Sequence, residues 1–180
     1  MLNTRMLDLT AIRVLLVEDN TNIRAIAKMI MRGIGIHEIK DAHDGKEALM
    51  HLTTFPADII ITDWMMDGMD GLELVQNVRS SEDQAMSMIP IIMMTGHTEQ
   101  SRVGQARNMG VTEFLAKPIS PMSLYLRIAE VIQRPRQYVR TETFYGPDRH
   151  RRVIENYQGP FRRGADNVNG EGSANTGEVE

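Results

Sequence analysis

Four polar features of this 180-residue chain stand directly behind short apolar runs. Glu18-Asp19 follow Ile12–Val17, Asp63 follows Ala57–Thr62, Thr95 ends the run begun at Pro90, and Lys117 lies just past Val111–Leu115. Taken singly, each has an ordinary role: an acidic pair caps a helix, an aspartate closes a turn, threonine is common at strand ends and Lys-Pro in loops. Taken together they make a chemical set. Three carboxylates in one place repel one another and resist full ionisation unless a cation sits among them, and hard oxygen ligands with room for water suit Mg2+. An ionised carboxylate beside that cation can attack phosphorus, while an ammonium and a hydroxyl hold the phosphoryl oxygens as charge redistributes.

That chemistry needs a fold that makes the four features converge. The run Ile12–Val17 is short, β-branched and largely unalternated, which suits a strand buried in a parallel sheet. Behind it Asn20 or Thr21 can cap a helix whose apolar residues Ile23, Ile26, Ala27 and Ile30 recur at helical spacing, with Gly33 and Gly35 to end it. The pattern repeats. His37–Ala42 reads as a strand, Asp44–Leu49 opens a helix, and Ala57–Thr62 is a strand behind Phe55-Pro56. A helix over Gly71–Arg79, a strand over Pro90–Thr95, a helix over Glu99–Met109 stopped by Gly110, a short strand over Val111–Leu115 and a helix over Pro121–Gln133 complete it. Five strands alternating with five helices predict right-handed crossovers and an α/β, doubly wound parallel sheet. Ligands in such sheets sit outside the carboxyl ends of the strands, where the order switches. All four polar features fall at those ends.

Composition bounds the rest. The length and a hydrophobic content of 42% support one ordinary core. Segment 1–10 leads in, 11–133 is the domain, and 134–180 is a tail. No apolar run approaches the roughly 20 residues that span a bilayer, and no signal peptide opens the chain, so a cytoplasmic location without membrane insertion is expected. The absence of cysteine removes disulfides and thiolate chemistry. A net charge of −4 argues against generic nucleic-acid binding. Charge is nevertheless uneven: the stretch 134–163 is Arg-rich, whereas Gly164–Glu180 has acids, no bases and much Gly and Asn. The tail is therefore expected to be largely disordered. Within it, Tyr145–Arg152 and Tyr157–Arg163 read as two imperfect copies of an aromatic, Gly-Pro, arginine pattern, either a solvated linker or a basic arm for an acidic partner.

The ordered set Glu18-Asp19, Asp58–Asp63, Met66-Asp67-Gly68-Met69-Asp70-Gly71, Thr95-Gly96-His97 and Lys117-Pro118 resembles the response-regulator receiver domains over about residues 11–133. The resemblance implies a flavodoxin-like five-stranded sheet flanked by five helices. It also implies that Asp63 takes a phosphoryl group from a phosphohistidine of a sensor kinase or phosphotransfer protein. By the same resemblance Glu18, Asp19, Asp63 and the Met65 carbonyl surround Mg2+, Lys117 and Thr95 contact the phosphoryl group, and Phe114 is the switch aromatic that follows Thr95. Met65 and His97 match the positions that tune dephosphorylation, and the Lys117-Pro118 bond is expected to be cis. Asp67 stands where the family commonly has proline.

The resulting expectation is a phosphoacceptor switch rather than an enzyme, signalling through an unidentified downstream protein, with self-association left open. A metal-dependent phosphatase would need a second acid two residues after Asp63, where Met65 stands, and no nucleotide-binding glycine loop is present. A DNA-gripping tail would lack a folded reading head, so no specific nucleic-acid partner is expected.

Overall fold

The computed structural model describes residues 7–96, 103–140 and 145–148. Five parallel strands, β1 (Arg13–Val17), β2 (Glu38–Ala42), β3 (Ile59–Asp63), β4 (Ile91–Thr95) and β5 (Glu113–Ala116), form one sheet in the order β2-β1-β3-β4-β5. Every residue of β3 and β4 is buried, which is why these stretches read as continuous apolar runs, while β2 and β5 mix exposed and buried positions as edge strands do. Alternate side chains serve opposite faces. Leu15, Val17, Ile60 and Met93 join one cluster with Leu74, Val75 and Ala106 of the helices; Val14, Leu16, Ile61, Ile92 and Met94 join the other with Ala27, Met31, Leu124 and Ile128.

Six helices cover the sheet among the described residues: α1 (Thr21–Gly33), α2 (Gly45–Leu52), α3 (Gly71–Arg79), α4 (Gln84–Ser87), α5 (Val103–Asn108) and α6 (Pro121–Gln133). Their starts are chemically marked. Asn20 caps α1 by accepting from the Asn22 and Ile23 amides, Asp44 caps α2, and Asp70 with Glu73 makes a reciprocal capping box on α3. The doubly wound expectation is met with one addition: α4, a single turn capped by Asp83, is too short to show helical periodicity in the sequence. Segment 97–102, with His97 and the expected beginning of the helix that continues as α5, lies outside the described residues. No helix among the described residues is long and apolar enough to cross a membrane.

The stretch expected to be a largely disordered tail carries two short strands near its start. Regular structure resumes after Gln133 as an antiparallel hairpin of β6 (Tyr138–Arg140) and β7 (Tyr145–Pro147). A two-stranded ribbon is marginal alone, and this one is held by contacts distant in sequence. Arg136 Nη2 lies 2.6 Å from Oε1 of the buried Glu113 in β5, Arg136 Nη1 donates to the Asp148 carbonyl at 3.3 Å, and the Arg79 guanidinium lies 5.3 Å from the centre of the Tyr138 ring. Arg79 in turn donates to the carbonyls of Ser87, Ile89 and Gly110, tying α3 to α4 and to the turn before β5. The second aromatic, Gly-Pro copy and the acidic end of the tail lie outside the described residues.

Candidate functional site

The strand order reverses between β1 and β3, because β1 sends the chain outward to β2 while β3 continues toward β4. The crevice at their carboxyl ends is the position such sheets offer a ligand. Val17 is the last residue of β1, so Glu18 and Asp19 emerge there; Asp63 is the last residue of β3 and Thr95 the last of β4. Lys117 follows β5, its amide donating to the Thr95 carbonyl at 2.8 Å, and its bond to Pro118 is cis, as expected.

Carboxylate oxygens of Glu18, Asp19 and Asp63 lie within 4.8 Å of one another. Glu18 is 1% exposed and Asp63 8%, whereas Asp19 faces solvent. Lys117 Nζ closes the group, 2.8 Å from Asp63 Oδ1 and 2.9 Å from Glu18 Oε2. Burial pushes the Asp63 carboxyl above its ordinary range, against the opposing pull of Lys117 and of the Trp64 amide, which donates to Oδ1 at 2.8 Å. Burial likewise raises Glu18, opposed by the Lys117 hydrogen bond and reinforced by the Asp63 charge. Burial alone would lower Lys117, but hydrogen bonds and attraction from Asp63 and Glu18 outweigh it and hold the ammonium above the usual lysine range. One ammonium thus meets two acids that are penalised for ionising, with a third, Asp19, beside them. Hard oxygen donors in that state, open to water on the Asp19 side, fit a divalent cation such as Mg2+.

Backbone packing holds this geometry. Gly71 opens α3 against the end of β3, its amide donating to the Trp64 carbonyl at 3.0 Å, and a Cβ there would lie 2.1 Å from the Asp63 carbonyl oxygen. Only glycine allows that approach. The Asp67 amide donates to Asp19 Oδ2 at 3.3 Å, a contact that a proline at this position could not make.

The sequence-selected residues separate into two groups. Glu18, Asp19, Asp63 and Lys117 converge directly, and Thr95 ends the neighbouring strand at the same edge of the sheet. The Met65 side chain is 56% exposed. Phe114 lies on β5 with its ring 6.5 Å from that of Trp64 and 5.7 Å from the Arg107 guanidinium. Two participants went unrecognised in the sequence: Arg24, which donates to the carbonyls of Glu18 and Asp19, and Asp41, which pairs with Arg24. Position six residues after Glu18, one helical turn into α1, was the available signal.

Comparison with known proteins identifies a family. The family described as response regulator receiver domain matches residues 14–129. Chemotaxis protein CheY-3 of Vibrio cholerae serotype O1 is 30% identical over 122 residues, covering 68% of this chain and 92% of its own. Among solved structures, chemotaxis response regulator CheY4 of Vibrio cholerae is 32% identical with a TM-score of 0.61, covering 67% of this chain and 98% of its own. The receiver domain of a sensor histidine kinase from Pseudomonas aeruginosa PAO1, solved with magnesium coordinated in its active site cleft, is 26% identical with a TM-score of 0.58, covering 66% and 93%.

Proposed function

The chain belongs to the response regulator receiver domain family, a phosphorylation-dependent switch of two-component signalling, and from that premise we propose that Asp63 is its phosphoacceptor. A carboxylate oxygen of Asp63 attacks the phosphorus of a phosphohistidine on a sensor kinase or phosphotransfer protein; the nitrogen–phosphorus bond breaks, and the imidazole leaves with the electron pair and takes up a proton. Glu18, Asp19, Asp63 and the Met65 carbonyl would hold Mg2+, which when bound neutralises charge on the transferring group. Lys117, already 2.8 Å from Asp63, exchanges its carboxylate partner for a phosphoryl oxygen. The Thr95 hydroxyl contacts another, and Phe114 follows its movement to alter the surface that a downstream protein reads. The chain acts in the cytoplasm through protein contacts, assisting its own phosphorylation and dephosphorylation.

The observation that carries this reading is the buried Asp63 carboxylate, grouped with two further acids and joined to one lysine at the carboxyl edge of the sheet. Incubation with Mg2+ and acetyl phosphate tests it by intact mass. Wild type is expected to gain one phosphoryl group, and Asp63→Asn none; equal uptake by both would overturn the assignment.

A further inference from the structure

The loop that carries Glu18 and Asp19 is gripped from two sides, by β2 directly and by an α1 arginine that β2 orients. The Glu18 amide donates to the Ala42 carbonyl at 3.1 Å. On the other side of the same residue, Arg24 Nη1 donates to the Glu18 carbonyl and, at 3.4 Å, to the Asp19 carbonyl. Arg24 is itself aimed: its Nε lies 3.4 Å from Asp41 Oδ2, while the other oxygen of Asp41 accepts from Lys28 Nζ at 2.7 Å. Asp41 precedes Ala42, so one strand end holds both peptide groups of Glu18. The two carboxylates depend on this grip unequally. Glu18 is also held by Lys117 and by the Asn20 amide, which donates to its Oε1 at 3.1 Å. The solvent-facing Asp19 carboxylate meets the Asp67 amide at 3.3 Å, a long contact, so its direction follows from its backbone.

We propose that Arg24, oriented by Asp41, is a positioning residue for the metal ligands Glu18 and Asp19, fixing the peptide groups that aim their carboxylates. This rests on the reading of those acids as a Mg2+ site. Arg24 is a cation beside an acidic site, which makes the idea decidable by sign. If Arg24 acted only through its charge, removing it would leave the acids more attractive to Mg2+ and tighten binding. If it positions them, removing it weakens binding in spite of the lost positive charge. Groups that orient metal ligands are typically worth about 10- to 100-fold in affinity, and the partial exposure here places the expectation near tenfold.

Mg2+ titrations followed by calorimetry and by emission of Trp64, the single tryptophan, decide between the two. Arg24→Ala is expected to bind Mg2+ about tenfold more weakly than wild type. Arg24→Lys, which keeps the charge but loses the planar fork, recovers little of that, and Asp41→Asn lies between. Arg32→Ala, which removes the same charge farther along α1, leaves affinity unchanged or slightly tighter. Equal or tighter Mg2+ binding by Arg24→Ala, or full recovery by Arg24→Lys, overturns the positioning role while leaving the metal site intact. Absence of Mg2+ binding by the wild type overturns the metal site itself. Should Arg24→Ala fail to fold, Arg24→Lys and Asp41→Asn carry the same comparison.

Discussion

The rings of Trp64 and Phe114 stand 6.5 Å apart, tilted by 34°. Trp64 directly follows Asp63 and its amide bonds that carboxylate, so the pair links the proposed phosphoacceptor to the proposed switch aromatic within one aromatic contact. Addition of a phosphodonor to Mg2+-saturated protein is expected to change Trp64 emission as Phe114 moves. Phe114→Leu should keep the response to Mg2+ and lose most of the response to phosphodonor. An unaltered second response would separate Phe114 from the switch.

Asp63→Asn should fold and, without metal, be more stable than wild type. The Asp63 carboxyl is held above its ordinary range by burial, so at neutral pH its ionised form opposes folding, and an amide of the same shape removes that opposition. The metal-free variant is therefore expected to unfold at a higher thermal midpoint than wild type. A lower midpoint in the metal-free variant would show that the Lys117 pairing outweighs the burial penalty.

The same shifts set a pH dependence. Glu18 and Asp63 have folded-state values above their unfolded ones, so the native state binds more protons in between, and their contribution to metal-free stability falls as pH rises from about 4 through those raised values. Asp58 runs the other way. Its hydrogen bond from Arg13 holds it low, and that contribution is lost as pH falls through its folded value. Mg2+ competes with the protons on Glu18 and Asp63. Its stabilising effect, measured as a shift in thermal midpoint, should therefore be larger near pH 7.5 than near pH 5; the opposite order would contradict the assignment of these acids as ligands.

Gly71→Ala should disturb the site from outside it. The added Cβ would meet the Asp63 carbonyl oxygen at 2.1 Å and the Trp64 Cα at 3.2 Å, both backbone atoms that cannot swing aside. Moving the end of β3 away from α3 is expected to cost about 1–3 kcal/mol in urea denaturation and to weaken Mg2+ binding as Asp63 shifts. Wild-type stability would mean that this junction is looser than its packing implies.

Truncation after Gln133 should leave phosphoryl uptake intact yet lower stability, because it strips Arg136 from Glu113, 4% exposed. Removing one side of a buried pair typically costs about 3–5 kcal/mol, and the partly open Arg136 side brings the expectation to roughly 2–3 kcal/mol. The Arg136→Ala, Glu113→Gln double-mutant cycle isolates the pair, and a coupling near zero would assign the hairpin no hold on β5.

How far these features could be read in advance differs residue by residue. The apolar runs ending in Glu18-Asp19, Asp63 and Thr95, with His37–Ala42 and Val111–Leu115, determined five parallel strands and the edge at which their polar ends meet, because a buried strand has a local composition and a doubly wound sheet has one place for its ligands. The expected helices Gly71–Arg79 and Pro121–Gln133 coincide with α3 and α6, since helix starts and stops carry local signals. Only the tertiary structure decided the rest. Nothing near Arg136 in sequence announces Glu113, 23 residues away, nor does Tyr138 announce Arg79. The hairpin therefore read as part of a disordered tail. Arg24 likewise carries no local mark of its role; only the fold brings Asp41 and the carbonyls of Glu18 and Asp19 beside it. Ion pairs and carbonyl contacts between distant segments leave no periodicity; they are selected by the geometry that the periodic elements create.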